Sequence, residues 1–299
     1  MNSARALDLP AAPPGAKGWP WEPPAESGSL AADARVDWPK ITVVTPSFNQ
    51  GRYLEATLRS VLLQGYPNLE YIVMDGGSDD SSVEILERYG SHLAHWQSRP
   101  DSGQADAIAS GFARATGEIC GYLNSDDILL PRALRHVARM FLRRPSVGVV
   151  YGNRLVIDEQ GAVIGRHVWP YFLSRYHWAK GQPLAQECCF WRKEVYSRVG
   201  GIDRSKFFIM DYDLFYRMWK ATRFRKTRAY LGSLRVHGES KSALHVDVWR
   251  RELAAAKAHY GLREPGYFRN RVMTSLDRAQ VLFDALAERV CGSKLPGIN

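Results

Sequence analysis

The feature that most constrains the fold is a regular alternation of short apolar segments with longer amphipathic ones across residues 41–142. Apolar runs at 41–45, 70–74 and 119–123, with an extended piece near 92–96, alternate with helical patterns at 53–64, 82–89, 104–115 and 131–142. Strands alternating with amphipathic helices predict a parallel sheet covered on both faces. The sequence therefore predicts an α/β fold with a mostly parallel sheet flanked by helices, an architecture typical of nucleotide-binding proteins.

The pattern changes after a further apolar run at 147–151. Residues 154–158 and 162–168 flank the turn sequence DEQG and predict a β-hairpin, residues 187–191 predict a strand, and 212–219 a helix. Beyond residue 245 the pattern is mostly helical. We therefore expect an extended or disordered proline-rich arm over 1–38, one domain over 39–242 with a mixed α+β second half, and a helical, basic extension over 243–299.

Composition indicates the cellular compartment of the protein and the class of its binding partners. Four irregularly spaced cysteines predict neither a disulfide framework nor a zinc site, and no secretory signal or run of roughly 18 apolar residues is evident, so we expect a cytoplasmic protein. The net charge of +9 comes from residues 217–299, which hold 17 Lys and Arg against 7 Asp and Glu. An anionic membrane surface or a phosphorylated substrate fits this excess, and a solvated basic surface is the alternative. Nucleic acid is not expected, because no nucleic-acid-binding motif accompanies the charge.

Three polar loops follow predicted strands: TPSFN (45–49), DGGSDDSS (75–82) and LNSDD (123–127). In open α/β sheets ligands bind at the carboxyl ends of the strands, so these loops are expected to converge. Each also has a structural interpretation, because serines and aspartates commonly cap helices. The number of carboxylates on one edge favours a site for Mg²⁺ or Mn²⁺, with phosphate oxygens completing the shell. The acids expected there are Asp75, Asp79, Asp101, Asp106, Asp126 and Asp127.

A longer ordered series of motifs points to a known family. It comprises TPSFNQGRYLEATLRSVLLQGYPNLEYIVMDGGSDDSS, DSGQADAIASGFARATGEICGYLNSDD, Gln186, VGGIDRSKFFIMDYDLFYRM and HGESKS. Along most of residues 41–242 the chain resembles the family-two, inverting glycosyltransferases of the GT-A fold, which is Rossmann-like. The resemblance implies a nucleotide-diphosphosugar donor, a Mn²⁺ or Mg²⁺ cofactor, and an acceptor hydroxyl.

The resemblance also implies roles for individual residues. The nucleoside and donor side would be formed by Thr45, Pro46, Asn49, Asp75, Ser78, Asp101, Gln104 and Asp106, with Asp75 reading the pyrimidine ring of a UDP- or TDP-sugar. Asn124, Ser125 and Asp126 occupy the Asp-x-Asp motif, with Asp126 as metal ligand and Asp127 beside the donor sugar. Asn124 departs from the usual Asp, and we expect it to position the ribose.

The remaining roles lie in the second half of the chain. Asp211 resembles the catalytic base, although Met210 replaces the usual preceding Glu and Asp213 is a neighbouring competitor. His237 is the second expected metal ligand, with a structural histidine as its alternative. The segment HGESKSALH is expected to close over the donor, with Ser240 and Lys241 near the phosphates.

Three other functions remain open at this stage. They are a glycoside hydrolase using two carboxylates, a sugar nucleotidyltransferase, and a nucleotide-sugar-binding module without turnover, which Asn124 and Met210 would favour. The acceptor is not determined by the sequence, and an aromatic run at 169–178 fits either sugar stacking or core packing. The resemblance implies a glycan or lipid-linked acceptor in bacterial cell-envelope polysaccharide synthesis, at the inner face of the membrane.

Overall fold

The structure is a computed structural model that describes residues 8–24 and 36–290. The strands, numbered in chain order, are β1 (Ile41–Ser47), β2 (Leu69–Asp75), β3 (His95–Ser98), β4 (Ile119–Tyr122), β5 (Ile128–Leu129), β6 (Val147–Ile157), β7 (Val163–His167), β8 (Cys189–Arg192) and β9 (Arg223–Arg235). The helices are α1 (Gly51–Leu62), α2 (Ser82–Tyr89), α3 (Gln104–Arg114), α4 (Ala133–Arg143), α5 (Arg175–Lys180), α6 (Lys193–Arg198), α7 (Met210–Ala221), α8 (Lys241–Leu244), α9 (Val246–His259) and α10 (Tyr267–Val290).

The first half of the chain builds the parallel part of the sheet. β1 pairs in parallel with both β2 and β4, and β2 pairs in parallel with β3. Ser47 lies opposite Asp75, and Asp75 lies opposite Ser98, so the carboxyl ends of three strands meet at one edge. The predicted α/β architecture with a mostly parallel sheet is confirmed for this half.

The second half extends the same sheet with mixed pairing, in the order β3-β2-β1-β4-β8-β6-β9-β5. β8 is antiparallel to β4 and to β6, β9 is parallel to β6, and the predicted hairpin of β6 and β7 is present. The short β5 pairs with β9 and sets Ile128 opposite Ser233. This pairing brings the end of the LNSDD loop next to the end of β9, although the two are far apart in sequence.

Two features of this half differ from the prediction. β9 is 13 residues long, whereas the sequence predicts a strand only over 234–236, since exposed arginines at 223, 225 and 228 obscure the strand pattern. Apart from β5, no strand among the described residues pairs with its outer edge, and charged side chains are common on such edges. The strand expected at 187–191 is β8, which starts only at Cys189 and is preceded by a 3₁₀ turn, Gln186–Cys188, whose three residues are buried.

The core lies on both faces of the sheet because side chains alternate along each strand. Ile41 and Val43 of β1 face one buried cluster with α1 and α4, whereas Val44 faces the other with α3 and α7. Gly111 of α3 allows a close approach, since a Cβ there would lie 2.5 Å from a methyl of Val44. Burial on both faces explains why β1 reads as a continuous apolar run.

Residues 8–24 contain no helix or strand, and they pack on the domain. Trp19 is buried in a cluster with Ala56, Ile128 and Ile157, and its Nε1–H donates to the carbonyl of Leu129 at 2.7 Å. The segment therefore lies directly behind β5.

The C-terminal part is helical, as predicted, through residue 290. Leu253 and Ala256 of α9 join the core cluster on the α7 side. In the aromatic run at 169–178, Tyr176, His177 and Trp178 are buried, Trp169 and Tyr171 are half-buried, and Phe172 is 85% exposed. Among the described residues, no helix combines the length and apolar character needed to cross a membrane.

Candidate active site

A cavity of about 800 Å³ opens at the carboxyl ends of β1, β2 and β4, within the size range of small-molecule sites. Of the residues singled out in the sequence, those that line it are Pro46, Asp101, Gln104, Asn124, Ser125, Asp126 and Lys241. The convergence expected of the three strand-end loops is therefore present in the structure.

The loops TPSFN and DGGSDDSS are joined by hydrogen bonds that involve Asn49 and Ser78. The family resemblance had assigned both residues to the nucleoside and donor side. Asn49 has a left-handed backbone (φ 51°), and its N–H donates to Ser78 Oγ at 2.8 Å. Its side-chain oxygen accepts from the N–H of Asp79 at 3.0 Å. Asn49 and Ser78 thus fix the shape of the cavity wall without lining the cavity.

Asp75 and Thr45 are more deeply buried than Asn49 and Ser78. Asp75 is 1% exposed and accepts hydrogen bonds from the N–H groups of Gly77 and Ser78 and from the hydroxyls of Ser78 and Ser98, at 2.6–3.1 Å. Thr45 is fully buried, with its hydroxyl 3.0 Å from that of Tyr71. In this structure Asp75 organises the loop, and its expected contact with a pyrimidine stays a prediction.

Two polar side chains that the sequence reasoning did not single out face the cavity instead. Ser47 and Gln50 line it, and Ser47 Oγ and Gln50 Oε1 are buried without a partner among the described residues. Buried polar atoms usually have hydrogen-bond partners, so these two are available to a polar ligand. Both belong to the quoted segment TPSFNQ, but nothing in residue type distinguishes them from their neighbours.

Three residues form a hydrogen-bonded chain across the cavity. Gln104 Nε2 donates to Asn124 Oδ1 at 2.8 Å, and Lys241 Nζ donates to Gln104 Oε1 at 3.0 Å. Lys241 also donates to the carbonyl of Phe207. Burial lowers the pKa of Lys241 to about 8, although the negative charges of Glu252 and Asp211 oppose this effect. The segment expected to cover the donor thus contacts the cavity wall directly.

Asp126 and His237 meet at the cavity edge. Asp126 Oδ2 lies 3.1 Å from His237 Nε2, and the Asp126 side chain is 21% exposed whereas that of His237 is 1% exposed. The ring of Tyr53 packs against the imidazole with centroids 4.6 Å apart. Arg235, not singled out from the sequence, donates from Nε to the carbonyl of Asp126 at 2.9 Å. The β5–β9 pairing, which the sequence did not reveal, produces this arrangement.

Asp127 does not line the cavity and is fully buried. Its carboxylate accepts from the N–H of Arg235 at 3.0 Å and from Gln186 Nε2 at 2.9 Å. Burial and the neighbouring charge of Asp126 raise its pKa well above the ordinary range. Glu187 is buried nearby, and burial raises its pKa despite Arg154 at 3.6 Å. The expected position of Asp127 beside the donor sugar stays a prediction.

Asp101 and Asp106 lie on the third side of the cavity. Asp101 lines it and accepts from the N–H of Gly103 at 2.7 Å, and burial, together with the charges of Asp106 and Asp75, raises its pKa. Asp106 does not line the cavity and is paired with Arg204. Asp106 therefore anchors the start of α3 rather than facing the cavity.

The two acids of IMDYDLF have different environments. Asp211 is half-buried in the first turn of α7, accepts from Gln182 Nε2 at 2.9 Å, and has its pKa raised by burial to about 6. Asp213 is buried, accepts from Arg217 at 2.7 and 2.9 Å, and also binds the Tyr260 hydroxyl. The carboxylate of Asp211 is thus able to exchange a proton near neutral pH, whereas that of Asp213 is bound by Arg217 and Tyr260.

Asp211 does not line the cavity but is coupled to it electrostatically. The positive charge of Lys241, which does line the cavity, lowers the pKa of Asp211 against the larger effect of burial. Among the described residues, no group of three or more His, Cys, Asp or Glu side chains gathers as a metal site. Asp126 and His237 are thus the two protein groups at this edge that could bind a cation together.

Comparison with known proteins identifies the family. Residues 42–200 match the model of Glycosyl transferase family 2, which is more than half of the chain. An uncharacterized glycosyltransferase of Nostoc sp. is 27% identical over 239 residues, covering 73% of this chain and 68% of that protein. The chondroitin synthase of Pasteurella multocida is 24% identical over 216 residues, covering 71% of this chain but only 22% of the synthase.

Solved structures support the same fold. The crystal structure of S. aureus TarS superposes with a TM-score of 0.56 at 18% identity, covering 67% of this chain and 37% of TarS. A crystal structure of TarS 1-349 in complex with UDP-GlcNAc gives a TM-score of 0.56 at 16% identity, covering 72% of this chain and 66% of that one. The chain is therefore a glycosyltransferase of the GT-A fold and belongs to Glycosyl transferase family 2.

Proposed function

We propose that the protein is an inverting, divalent-metal-dependent glycosyltransferase that moves a sugar from a UDP- or TDP-sugar to an acceptor hydroxyl. The observation that carries this proposal is the single cavity that gathers Asp126, the Gln104–Asn124 pair and Lys241, with the carboxylate of Asp211 in electrostatic reach. The TarS complexes with UDP and UDP-GlcNAc support this class of donor.

The donor would occupy the cavity with its nucleoside toward β1 and β2. Pro46, Ser47 and Gln50 offer an apolar surface and two partnerless polar atoms, and Asp101 closes the opposite side. Thr45, Asn49, Asp75, Ser78, Asp106 and Asp127 act on this donor site indirectly, by fixing the loops that form it. Lys241 supplies the positive charge expected for the diphosphate.

Asp126 and His237 would hold the cation. Their oxygen and nitrogen atoms already face each other at 3.1 Å. The carboxylate suits either Mn²⁺ or Mg²⁺ when diphosphate oxygens complete the shell, and the imidazole nitrogen favours Mn²⁺. Mg²⁺ commonly uses only one or two protein carboxylates, which agrees with the absence of a larger ligand group among the described residues. When bound, the cation would offset negative charge on the departing diphosphate.

Asp211 would act as the general base. As the acceptor oxygen bonds to the anomeric carbon, the bond from that carbon to the diphosphate oxygen breaks, and its electron pair leaves with the nucleotide. The hydroxyl proton passes to the Asp211 carboxylate, whose pKa of about 6 leaves it ionised at neutral pH yet able to take a proton. One displacement inverts the anomeric centre, and Gln182 keeps the carboxylate oriented.

The wider context follows from the relatives and the charge distribution. Chondroitin synthases and similar proteins among the relatives favour polysaccharide synthesis, with a glycan or lipid-linked acceptor. The basic excess in residues 217–299 favours work at the cytoplasmic face of a bacterial membrane, as a peripheral protein involved in building the cell envelope. No nucleic acid enters this proposal.

The deciding experiment measures release of nucleotide diphosphate from a panel of UDP- and TDP-sugars with Mn²⁺ or Mg²⁺, with and without EDTA. Metal-dependent release that increases with added glycan acceptors supports the proposal, and the anomeric configuration of the product tests inversion. Pyrophosphate-dependent conversion of the sugar nucleotide would instead indicate a nucleotidyltransferase. Nucleotide binding without turnover of any donor would indicate a binding module.

Asp126→Ala tests the cation site separately from turnover. We expect UDP binding to lose its dependence on Mn²⁺, measured by calorimetric titration with and without the metal. The matched control is Asp247→Ala, whose side chain is 91% exposed on α9 and should leave the titration unchanged. A metal dependence equal to that of the unmodified protein would contradict the assignment of Asp126 as ligand.

A further inference from the structure

The carboxylate of Glu252, on α9, binds three consecutive backbone N–H groups that precede α7. Its Oε1 accepts from the N–H of Phe207 at 3.1 Å. Its Oε2 accepts from the N–H groups of Phe208 and Ile209 at 2.9 and 3.1 Å. Hydrogen bonds to an ionised acceptor are roughly twice as strong as those between neutral groups. Glu252 therefore ties the segment that leads into α7 to the C-terminal part of the chain.

Packing of α9 fixes the position of this carboxylate. Leu253, the next residue along the helix, and Ala256 are buried in the core cluster that also contains Ile209 and Met210. Glu252 itself is half-buried. The start of α7 has no side-chain hydrogen bond from its own N-cap residue, Ile209. A negative charge near the first turn of a helix is favourable, so Glu252 supplies from α9 what the local sequence does not.

Lys241 binds the same segment from the cavity side. Its Nζ donates to the carbonyl of Phe207 and lies 4.1 Å from the centroid of the Phe207 ring. The side chain of Phe207 is 47% exposed and lines the cavity together with Lys241. The N–H and the carbonyl of Phe207 are thus bound by two groups of opposite charge, Glu252 and Lys241. Residue 207 is held on both sides at the cavity wall.

We propose that Glu252 is a positioning residue for sugar transfer, which sets the places of Lys241 at the donor diphosphate and of Asp211 at the acceptor hydroxyl. Asp211 lies in the first turn of α7, directly after the segment 207–209, so a shift of that segment moves the carboxylate with it. This role rests on the function proposed above. It adds a residue from outside the part of the chain that matches the family model, 42–200.

Charge also connects these residues. Burial lowers the pKa of Lys241, and the negative charges of Glu252 and Asp211 raise it. Burial raises the pKa of Asp211, and the positive charge of Lys241 lowers it. The other charged or titratable side chains that line the cavity are Asp101, Asp126, Glu239 and His245. These four are unchanged when Glu252 is replaced, so a difference between variants reports the charge of Glu252.

The test compares Glu252→Gln with the unmodified full chain. The amide keeps the size of the side chain but has no charge, and its NH2 group cannot accept from an N–H. UDP affinity should begin to fall at a pH about one unit below the Lys241 pKa of about 8, measured by calorimetric titration with Mg²⁺. At pH 7, kcat should fall roughly tenfold to a hundredfold while the KM for the donor changes much less, because a displaced base slows the chemical step.

Two further variants separate charge from geometry. Asp247→Asn removes a carboxylate that is 91% exposed on the same helix, and it should change neither kcat nor the pH profile of UDP affinity. Glu252→Asp keeps the charge on a shorter side chain, so the UDP profile should return to that of the unmodified protein while kcat recovers only in part. A Glu252→Gln variant with a lower melting temperature but with the kcat and UDP profile of Asp247→Asn would overturn the proposal, because Glu252 would then only stabilise the fold.

Failure of the transferase function would give a different result. If the unmodified protein turns over no donor, that function is wrong, and the UDP titration still measures the coupling of Glu252 to Lys241. Hydrogen exchange measures the geometry without any ligand. The amides of 207–209 should exchange faster in Glu252→Gln than in Asp247→Asn, because they lose a charged acceptor. Equal exchange in the two variants would also overturn the proposal.

Discussion

Replacing Asp211 by asparagine is expected to change stability and turnover in opposite directions. Burial raises the pKa of Asp211 from its ordinary 3.8 to about 6, so the ionised carboxylate is disfavoured in the folded state. That difference corresponds to roughly 3 kcal/mol at pH values above both pKa values. This figure is an upper limit, because the side chain is only half-buried and an amide accepts poorly from both Gln182 and Tyr212. We therefore expect Asp211→Asn to stabilise the unliganded protein by about 1–2 kcal/mol at pH 7.5.

The direction of the expected stability change follows from the pH at which Asp211 loses its proton in the folded and in the unfolded chain. Between pH 3.8 and about 6 the folded chain retains the Asp211 proton, whereas the unfolded chain has released it. The contribution of this carboxylate to stability therefore falls as the pH rises through that window. The melting temperature of the variant should exceed that of the unmodified protein by about 2–8 °C at pH 7.5. The difference should disappear near pH 4.

The transfer rate of the Asp211→Asn variant is the second quantity to measure. If Asp211 is the base, Asp211→Asn should lower kcat by about 10²- to 10⁴-fold. The kcat/KM of the unmodified protein should fall about tenfold per pH unit below the pKa of about 6. Asp247→Asn, an exposed carboxylate on α9, serves as the control for both assays. A lower melting temperature at pH 7.5 combined with an unchanged transfer rate would refute the reasoning.

Three further predictions concern other parts of the site. Gln182→Leu should shift the acid limb of the kcat/KM profile to higher pH and reduce kcat, while UDP affinity measured by titration stays unchanged, because only Asp211 loses a hydrogen bond. Lys241 has its pKa lowered by burial to about 8, so UDP affinity should weaken as the pH rises from 7 to 9, and Lys241→Met should flatten that dependence in the same titration. Trp19→Ala should destabilise the protein by about 3 kcal/mol in urea unfolding, because it empties a buried site behind β5 and removes the bond to Leu129.

The parallel half of the sheet could be predicted from the sequence because its information is local. Each of β1, β2 and β4 is a short apolar run that ends in a polar loop, and parallel pairing then brings the loop residues to one edge. The sequence could not show which polar atoms face the cavity. Asp75 and Asp127 are acids at strand ends like Asp126, yet hydrogen bonds from their own loops and from Arg235 turn them inward.

Long-range pairing accounts for most of what the sequence did not reveal. Arg235 and Gln182 lie in segments without a distinctive pattern, and they act through partners 109 and 29 residues away. His237 was expected as a metal ligand only through the family resemblance, and its approach to Asp126 depends on the β5–β9 register. The choice between Asp211 and Asp213 likewise depends on Arg217 and the distant Tyr260, which bind one carboxylate and leave the other half-buried.

The packing of residues 8–24 has a practical consequence for anyone who shortens the protein for crystallisation. Arg59 is nearly buried and donates to the carbonyls of Pro10, Pro20 and Trp21 at 2.8–3.3 Å. Removing the residues before β1 would leave the Arg59 guanidinium without three of its hydrogen-bond acceptors. It would also uncover the apolar side chain of Ile128, which lies two residues after Asp126. Such a truncated protein would be expected to aggregate or lose donor affinity for reasons unrelated to catalysis, and tags are better placed ahead of residue 8 than in place of residues 8–24.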